Sequence, residues 1–188
     1  MVYFWEVGLL REEKDIVKRF ETTYVLDDGG VVIFRPLKPE EDLEMLYQFY
    51  STLSKEKNYF RFLSYRKVTR WIVEEWTKIN YYESMALVAL VKNGESSKIV
   101  ADSRYFLDRK TGAAEIAIVV HNDWQHKGIG TNLLLHTIKV AKEMGVKKIF
   151  AYVSPENRKI IRIGKRLGFT TKWYPDIGEY GGELILSE

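Results

Sequence analysis

The sequence predicts an α/β fold built as one domain. Three observations predict it. Apolar, strand-like runs alternate with stretches whose apolar residues recur at helical spacing. A glycine-rich turn, Gln125, His126, Lys127, Gly128, Ile129 and Gly130, follows the apolar run at residues 116–120 and leads into a helical pattern. The chain has 188 residues, enough for one full core and short for two.

The elements follow in order. Residues 12–20 read as a short helix with Ile16, Val17 and Phe20 on one side. Residues 24–26, 27–30 and 31–34 read as strand, tight turn and strand, with Asp27, Asp28, Gly29 and Gly30 as the turn. Pro36 and Pro39 break the second strand. Leu43, Leu46, Tyr47 and Tyr50 then keep helical spacing across residues 40–50, and residues 54–63 and 67–79 form an interrupted second helical region. Three strands come next, at 85–91, 98–106 and 113–120, joined by turns at 92–95 and 108–112. The helix at 128–144 carries Ile129, Leu133, Leu134, Ile138 and Ala141 on one face, and Gly145 stops it. Residues 148–153 form another buried strand. Asn157 opens a short helix that Gly168 ends, and 169–173 and 183–186 are the last strands. No repeat or linker is visible. Residues 1–23 read as an N-terminal extension and 24–188 as the domain.

Composition narrows the function classes. With 46% hydrophobic and 29% charged residues, the chain has the make-up of an ordinary soluble globular protein. It has no run of 18 apolar residues, so no transmembrane helix is expected, and its first six residues lack the pattern of a signal peptide. It has no cysteine, which excludes disulfides, cysteine nucleophiles and zinc–thiolate sites and favours a cytoplasmic setting. His121, His126 and His136 have no ligand spacing, so no metal site is expected. A net charge of +3 is mild, and no recognition motif accompanies it, so nucleic acid is an unlikely partner.

The turn at 125–130 carries chemistry. A strand that ends in a glycine-rich turn and a helix start leaves several backbone N–H groups unpaired at the positive end of the helix dipole. That is an anion site, and it suits a pyrophosphate. Glycine at 128 and 130 lets a ligand approach the backbone, since no Cβ stands in the way. The sequence has no P-loop signature, and the turn is not the dinucleotide pattern G-x-G-x-x-G.

What remains, a glutamine three residues before Gly-x-Gly after a Val-rich strand, resembles the acetyl-CoA pyrophosphate loop of the GNAT acyltransferases. The order of elements is also that family's order. Asn157 at the start of a helix that closes with Leu167, Gly168 and Phe169 is a second match. Shorter words are similar to one subgroup, the bacterial and archaeal protein lysine acetyltransferases that modify acyl-CoA synthetases. These are Phe34-Arg-Pro36 with Glu40-Glu-Asp42, Leu53-Ser54, Tyr59, Arg61-Phe62, Arg104-Tyr105 and the run from Ala114 to Val120.

The resemblance implies a single GNAT domain with a mixed, mostly antiparallel sheet flanked by helices. It implies acetyl-CoA as co-substrate and a protein partner presenting a lysine. The amides from Gln125 through His126, Lys127, Gly128, Ile129 and Gly130 to Thr131 would hold the pyrophosphate. The strand end Ile118, Val119 and Val120 would pair with the pantetheine amides, and Asn157 would lie near the pantetheine arm. The strand after the loop helix would splay away and leave N–H groups for the thioester oxygen, worth about 3 kcal/mol on the tetrahedral intermediate.

The acceptor amine must be neutral to attack. A lysine with pKa near 10.4 is deprotonated in only about one molecule in 2,500 at pH 7, a deficit of roughly 4.6 kcal/mol. A base therefore helps, directly or through water. Glu115 is the candidate, in an apolar strand on one face with Ala117 and Val119, where desolvation would raise its pKa. The bland alternatives are a wet strand start or a pair with Arg104. The subgroup's glutamate falls at this position. Expelling a thiolate of pKa near 8.5 costs only about 2 kcal/mol at pH 7. Many GNAT enzymes use a tyrosine seven residues after the asparagine as general acid; here that position is Gly164, and Tyr152 or water is left to substitute.

Other readings stay open at this level. The basic residues Arg158, Lys159, Arg162, Lys165 and Arg166 attract the coenzyme phosphates or an acidic partner, or form a solvated face with ion pairs. Trp71, Trp76, Tyr81 and Tyr82 line an acceptor groove or belong to the core. Beside protein lysine acetylation stand transfer to a small amine and a catalytically idle acyl-CoA sensor.

Overall fold

The computed structural model describes residues 15–65, 67–94 and 96–186. Most of the expected N-terminal extension, the start of the 12–20 helix and Glu95 of the turn at 92–95 lie outside the described residues. Residues 15–19 are helical (α1), and Val17 and Phe20 are buried in the main core, so this part of the extension belongs to the packed body.

The expected hairpin forms, with its first strand starting two residues earlier and its second ending two residues later than the sequence predicts. Strand β1 (Thr22–Val25) runs antiparallel to β2 (Val31–Pro36). Between them Gly29 adopts φ of 82°, a left-handed turn position that suits glycine. Helix α2 (Pro39–Thr52) starts on proline and has Glu40, Glu41 and Asp42 in its first turn, where carboxylates favour the helix dipole. Asp42 is buried and takes a two-pronged bond from Arg35 at 2.6 and 2.8 Å, plus the Lys38 amide at 2.8 Å. That clasp fixes the helix to its strand.

The interrupted helical region resolves into α3 (Lys55–Phe62) and α4 (Arg70–Thr77), capped by Ser54 and Thr69. Strands β3 (Ser84–Asn93), β4 (Ser96–Asp108) and β5 (Ala113–Val120) form an antiparallel meander. A 3-10 turn at Asn122–Trp124, absent from the sequence reading, leads to α5 (Ile129–Glu143). Then come β6 (Lys148–Val153), α6 (Arg158–Arg166), β7 (Thr170–Tyr174) and β8 (Glu179–Ile185). The sheet order is β1-β2-β3-β4-β5-β6-β8-β7, and every pairing is antiparallel except β5 with β6.

Strand alternation divides the core between the two sheet faces. One face carries Leu87, Ala101, Tyr105, Ile116 and Ile149 under α5, whose Thr137 hydroxyl bonds to Ser103 at 2.9 Å. The other carries Val88, Leu90 and Val119 under α2 and α4. Tyr81 and Trp76 join these cores, while Trp71 and Tyr82 lie on the surface. Among the described residues no helix is long and apolar enough to cross a membrane.

A buried ionic cluster pins the second face. Arg104 is 2% exposed and Asp102 is fully buried. The Arg104 Nε donates to Asp102 at 2.8 Å, its Nη1 donates to the Trp76 carbonyl, and the Tyr50 hydroxyl donates to Asp102. Burial first, and then the Asp102 charge, push the Tyr50 phenol well above its ordinary pKa, so it stays a donor. Removing one partner strands a charge. Asp102→Ala is therefore expected to destabilise the fold by about 3 kcal/mol, measured by urea unfolding.

Candidate active site

The site begins where two strands part. β5 and β6 pair only at Ala113 with Lys148, Ala114 with Ile149 and Glu115 with Phe150. Beyond Glu115 they diverge, while β5 stays paired to β4 as far as Val120. The edge of β5 facing β6 is thus left without a strand partner over residues 116–120. A peptide-like ligand can complete such an edge.

Two adjoining cavities occupy the gap. The first, about 290 Å³, is lined by Glu115, Ile116 and Ala117 on β5, Tyr152 on β6, and Phe60 and Phe62 on α3. The second, about 340 Å³, holds the loop. Ile118, Val119, Val120, Gln125, His126, Gly128, Ile129, Gly130, Thr131 and Asn157 all line it. Phe60, Arg61, Ile118, Asn157 and Ile160 border both, so the two form one cleft.

The loop has the geometry of an anion cradle. Helix α5 starts at Ile129, one residue later than expected, with Gly128 as its N-cap at φ of 77°. His126 also takes a positive φ, 64°. Amides of the first helical turn have no intrahelical acceptor, and among the described residues none from 126 to 131 donates to another backbone group. The Lys127 ammonium turns away to Asp28 at 3.0 Å and does not line the cleft, which leaves its amide for a ligand.

The glycines have a different cause from the one the sequence suggests. A Cβ on Gly128 would overlap the Tyr24 hydroxyl, and one on Gly130 would stand 3.0 Å from the Val120 side chain. Both Cβ directions meet protein atoms. Tyr24 also donates to the Lys127 carbonyl at 3.3 Å. The β1–β2 hairpin thus braces the loop through Tyr24 and Asp28, a contact across about a hundred residues that no local pattern reveals. From the other side, Ser54 and Asn122 exchange hydrogen bonds at 3.2 and 3.1 Å and fasten the turn before the loop to α3. Losing one neutral hydrogen bond costs about 1 kcal/mol, so Tyr24→Phe is expected to raise the KM for acetyl-CoA about fivefold and leave kcat alone, read from initial rates.

Glu115 lies on the expected face but is exposed, not desolvated. It sits at the lip of the first cavity, across from Phe60 and Phe62 of α3, and its neighbours Phe106 and Tyr152 are 51% and 41% exposed. The desolvation expected of a carboxylate in an apolar strand is therefore absent at Glu115. Arg104 is engaged with Asp102 and Trp76, so the pairing of Glu115 with Arg104 does not form. Asn157 caps α6, accepting from the Ile160 amide at 3.4 Å, at the junction of the two cavities. Gly164 faces Phe169 and supplies no acid, whereas Tyr152 and Tyr180 both line the first cavity. His121 accepts from the Asp123 amide at 3.3 Å. His136 is half-buried against the Phe20 carbonyl, and burial lowers its pKa. Among the described residues no cluster of His, Asp and Glu is suited to a metal.

Comparison with known proteins gives a consistent set of likenesses. The Acetyltransferase (GNAT) domain model matches residues 32–170. The chain is 35% identical over 152 residues to Acetyltransferase PA5475 of Pseudomonas aeruginosa, covering 80% of this chain and 81% of that protein. It is 32% identical over 141 residues to Acetyltransferase Pat of Mycolicibacterium smegmatis, covering 74% of this chain but 41% of that longer protein. The crystal structure of the GNAT domain of S. lividans PAT superposes with a TM-score of 0.79 at 28% identity, covering 89% of this chain and 97% of that one.

Proposed function

The chain belongs to the GNAT acetyltransferase family, whose co-substrate is acetyl-CoA, and from that premise we propose that it acetylates the ε-amine of a lysine in a protein such as an acyl-CoA synthetase. The observation that carries this reading is the open lip of the cleft. Glu115 stands exposed where β5 and β6 part, at the lip of the first cavity opposite Phe60 and Phe62 of α3. A lysine carried on a folded partner can reach that point. The likeness to Pat and to the PAT domain supports the same acceptor class.

Each residue then has a task. The amides of 126–131 hold the pyrophosphate at the start of α5. The free edge at Ile118, Val119 and Val120 pairs with the pantetheine amides, and Asn157 borders the arm. Glu115, through water, takes a proton from the lysine ammonium. The neutral nitrogen attacks the thioester carbon, the C–N bond forms, and the C–S bond breaks to release the coenzyme thiolate. That thiolate leaves without an obligatory acid, because its cost at pH 7 is only about 2 kcal/mol. As the tetrahedral intermediate collapses, the nitrogen gives up its second proton to the departing sulfur or to water, and the proton held by Glu115 returns to water.

Incubation with radiolabelled acetyl-CoA, an acyl-CoA synthetase and a panel of polyamines and amino acids tests the acceptor. Label on a synthetase lysine is the expected result. Label on small amines alone removes the protein substrate.

A further inference from the structure

The second cavity has a basic wall as well as an amide wall. Lys159, Arg162 and Arg166 line it, at i, i+3 and i+7 of the helical run around α6, so they form one stripe with Ile163. Lys57 reaches the same cavity from α3. This stripe is not the ion-paired face that basic helices usually show. Among the described residues, Arg158, Lys159, Arg162, Lys165 and Arg166 make no salt bridge. Lys57 has a carboxylate neighbour, Glu56 at 3.4 Å, on its own helix.

Cations gathered around a cavity without counter-charges repel one another. Burial first, and the Lys57 charge second, hold the Lys159 ammonium below its ordinary pKa. The arrangement is unfavourable when empty of anions and is relieved by one. A dianionic phosphate offers three oxygens to several N–H donors at once, and such charge-assisted bonds are strong. The loop amides across the cavity already suit a diphosphate, so the stripe matches a second, separate phosphate of the same ligand. Coenzyme A carries one, as a monoester on its ribose.

Resting on the coenzyme reading above, we infer that Lys159, Arg162 and Arg166, with Lys57, form a phosphomonoester site that holds the 3′-phosphate of coenzyme A. The enzyme thereby distinguishes coenzyme A from its dephosphorylated precursor. Lys159, Arg162 and Arg166 are exposed, so their substitution does not disturb the core.

Calorimetric titration of the whole chain with coenzyme A and with 3′-dephospho-coenzyme A tests the site. Wild type is expected to bind coenzyme A about tenfold more tightly or better, the scale of one or two charge-assisted bonds. A Lys159→Gln, Arg162→Gln double variant is expected to bind both ligands alike, near the wild-type affinity for the dephospho form. Equal affinities in wild type overturn the site, as does a double variant that weakens both ligands in the same proportion. No heat from either ligand overturns the coenzyme reading beneath it, a result distinct from both.

Discussion

Gly128→Val removes measurable acetyl-CoA binding from a chain that still folds. Valine must take a φ of 77°, which a β-branched residue strongly resists. Its Cβ must also occupy the position of the Tyr24 hydroxyl. Together these costs come to roughly 3 kcal/mol or more, and the loop relieves them by shifting, which scatters the amides from their common focus. The expected loss of affinity is about a hundredfold or greater, by calorimetry. Circular dichroism run alongside shows whether the fold survives. Affinity within threefold of wild type, in a folded variant, contradicts the role given to the loop. Tyr24→Phe in the Gly128→Val background is informative too: removing the hydroxyl takes away the obstacle but not the unfavourable φ, so recovery is expected to be partial.

Glu115→Gln is expected to lower kcat about a hundredfold, with acetyl-CoA affinity nearly unchanged. The amide keeps the size of the carboxylate and loses its capacity to take a proton. The defect has a pH signature that mere structural damage lacks. Each pH unit gained below the lysine pKa of about 10.4 raises the neutral amine tenfold without help from the enzyme. The ratio of wild-type to variant rates should therefore shrink as pH rises from 7 to 9. A constant ratio across that range, or an unchanged kcat, removes Glu115 from the proton transfer. The exposure of Glu115 makes this test cleaner, because the substitution leaves the packed core untouched.

Most of the fold was legible because its signals are local. The alternation in β5, the apolar face of α5 and the proline that opens α2 each follow from a few adjacent residues. So does the loop, whose Gly-x-Gly after an apolar strand marks both a turn and a helix start. What escaped depends on contacts between distant segments. The exposure of Glu115 follows from the parting of β5 and β6, which pair only as far as that residue. The capture of Lys127 by Asp28 and the overlap of Gly128 with Tyr24 require the hairpin to fold beside the loop. Arg104 pairs with Asp102, two residues away on the same strand face, and not with the cross-strand Glu115, a choice set by the burial of that face. The share of α3 in the cleft, through Phe60 and Arg61, has no signal in the sequence beyond the place of Arg61 among the subgroup's words.

The brace between hairpin and loop bears on how this enzyme can be cut down for study. The stretch by which the family is recognised, residues 32–170, begins after Tyr24 and Asp28 and stops before nearly all of β7 and β8. A gene trimmed to those limits yields a loop with its outer support gone and a sheet missing three strands, β1, β7 and β8. The smallest working unit is larger than its family signature, and expression boundaries belong upstream of the first hairpin strand.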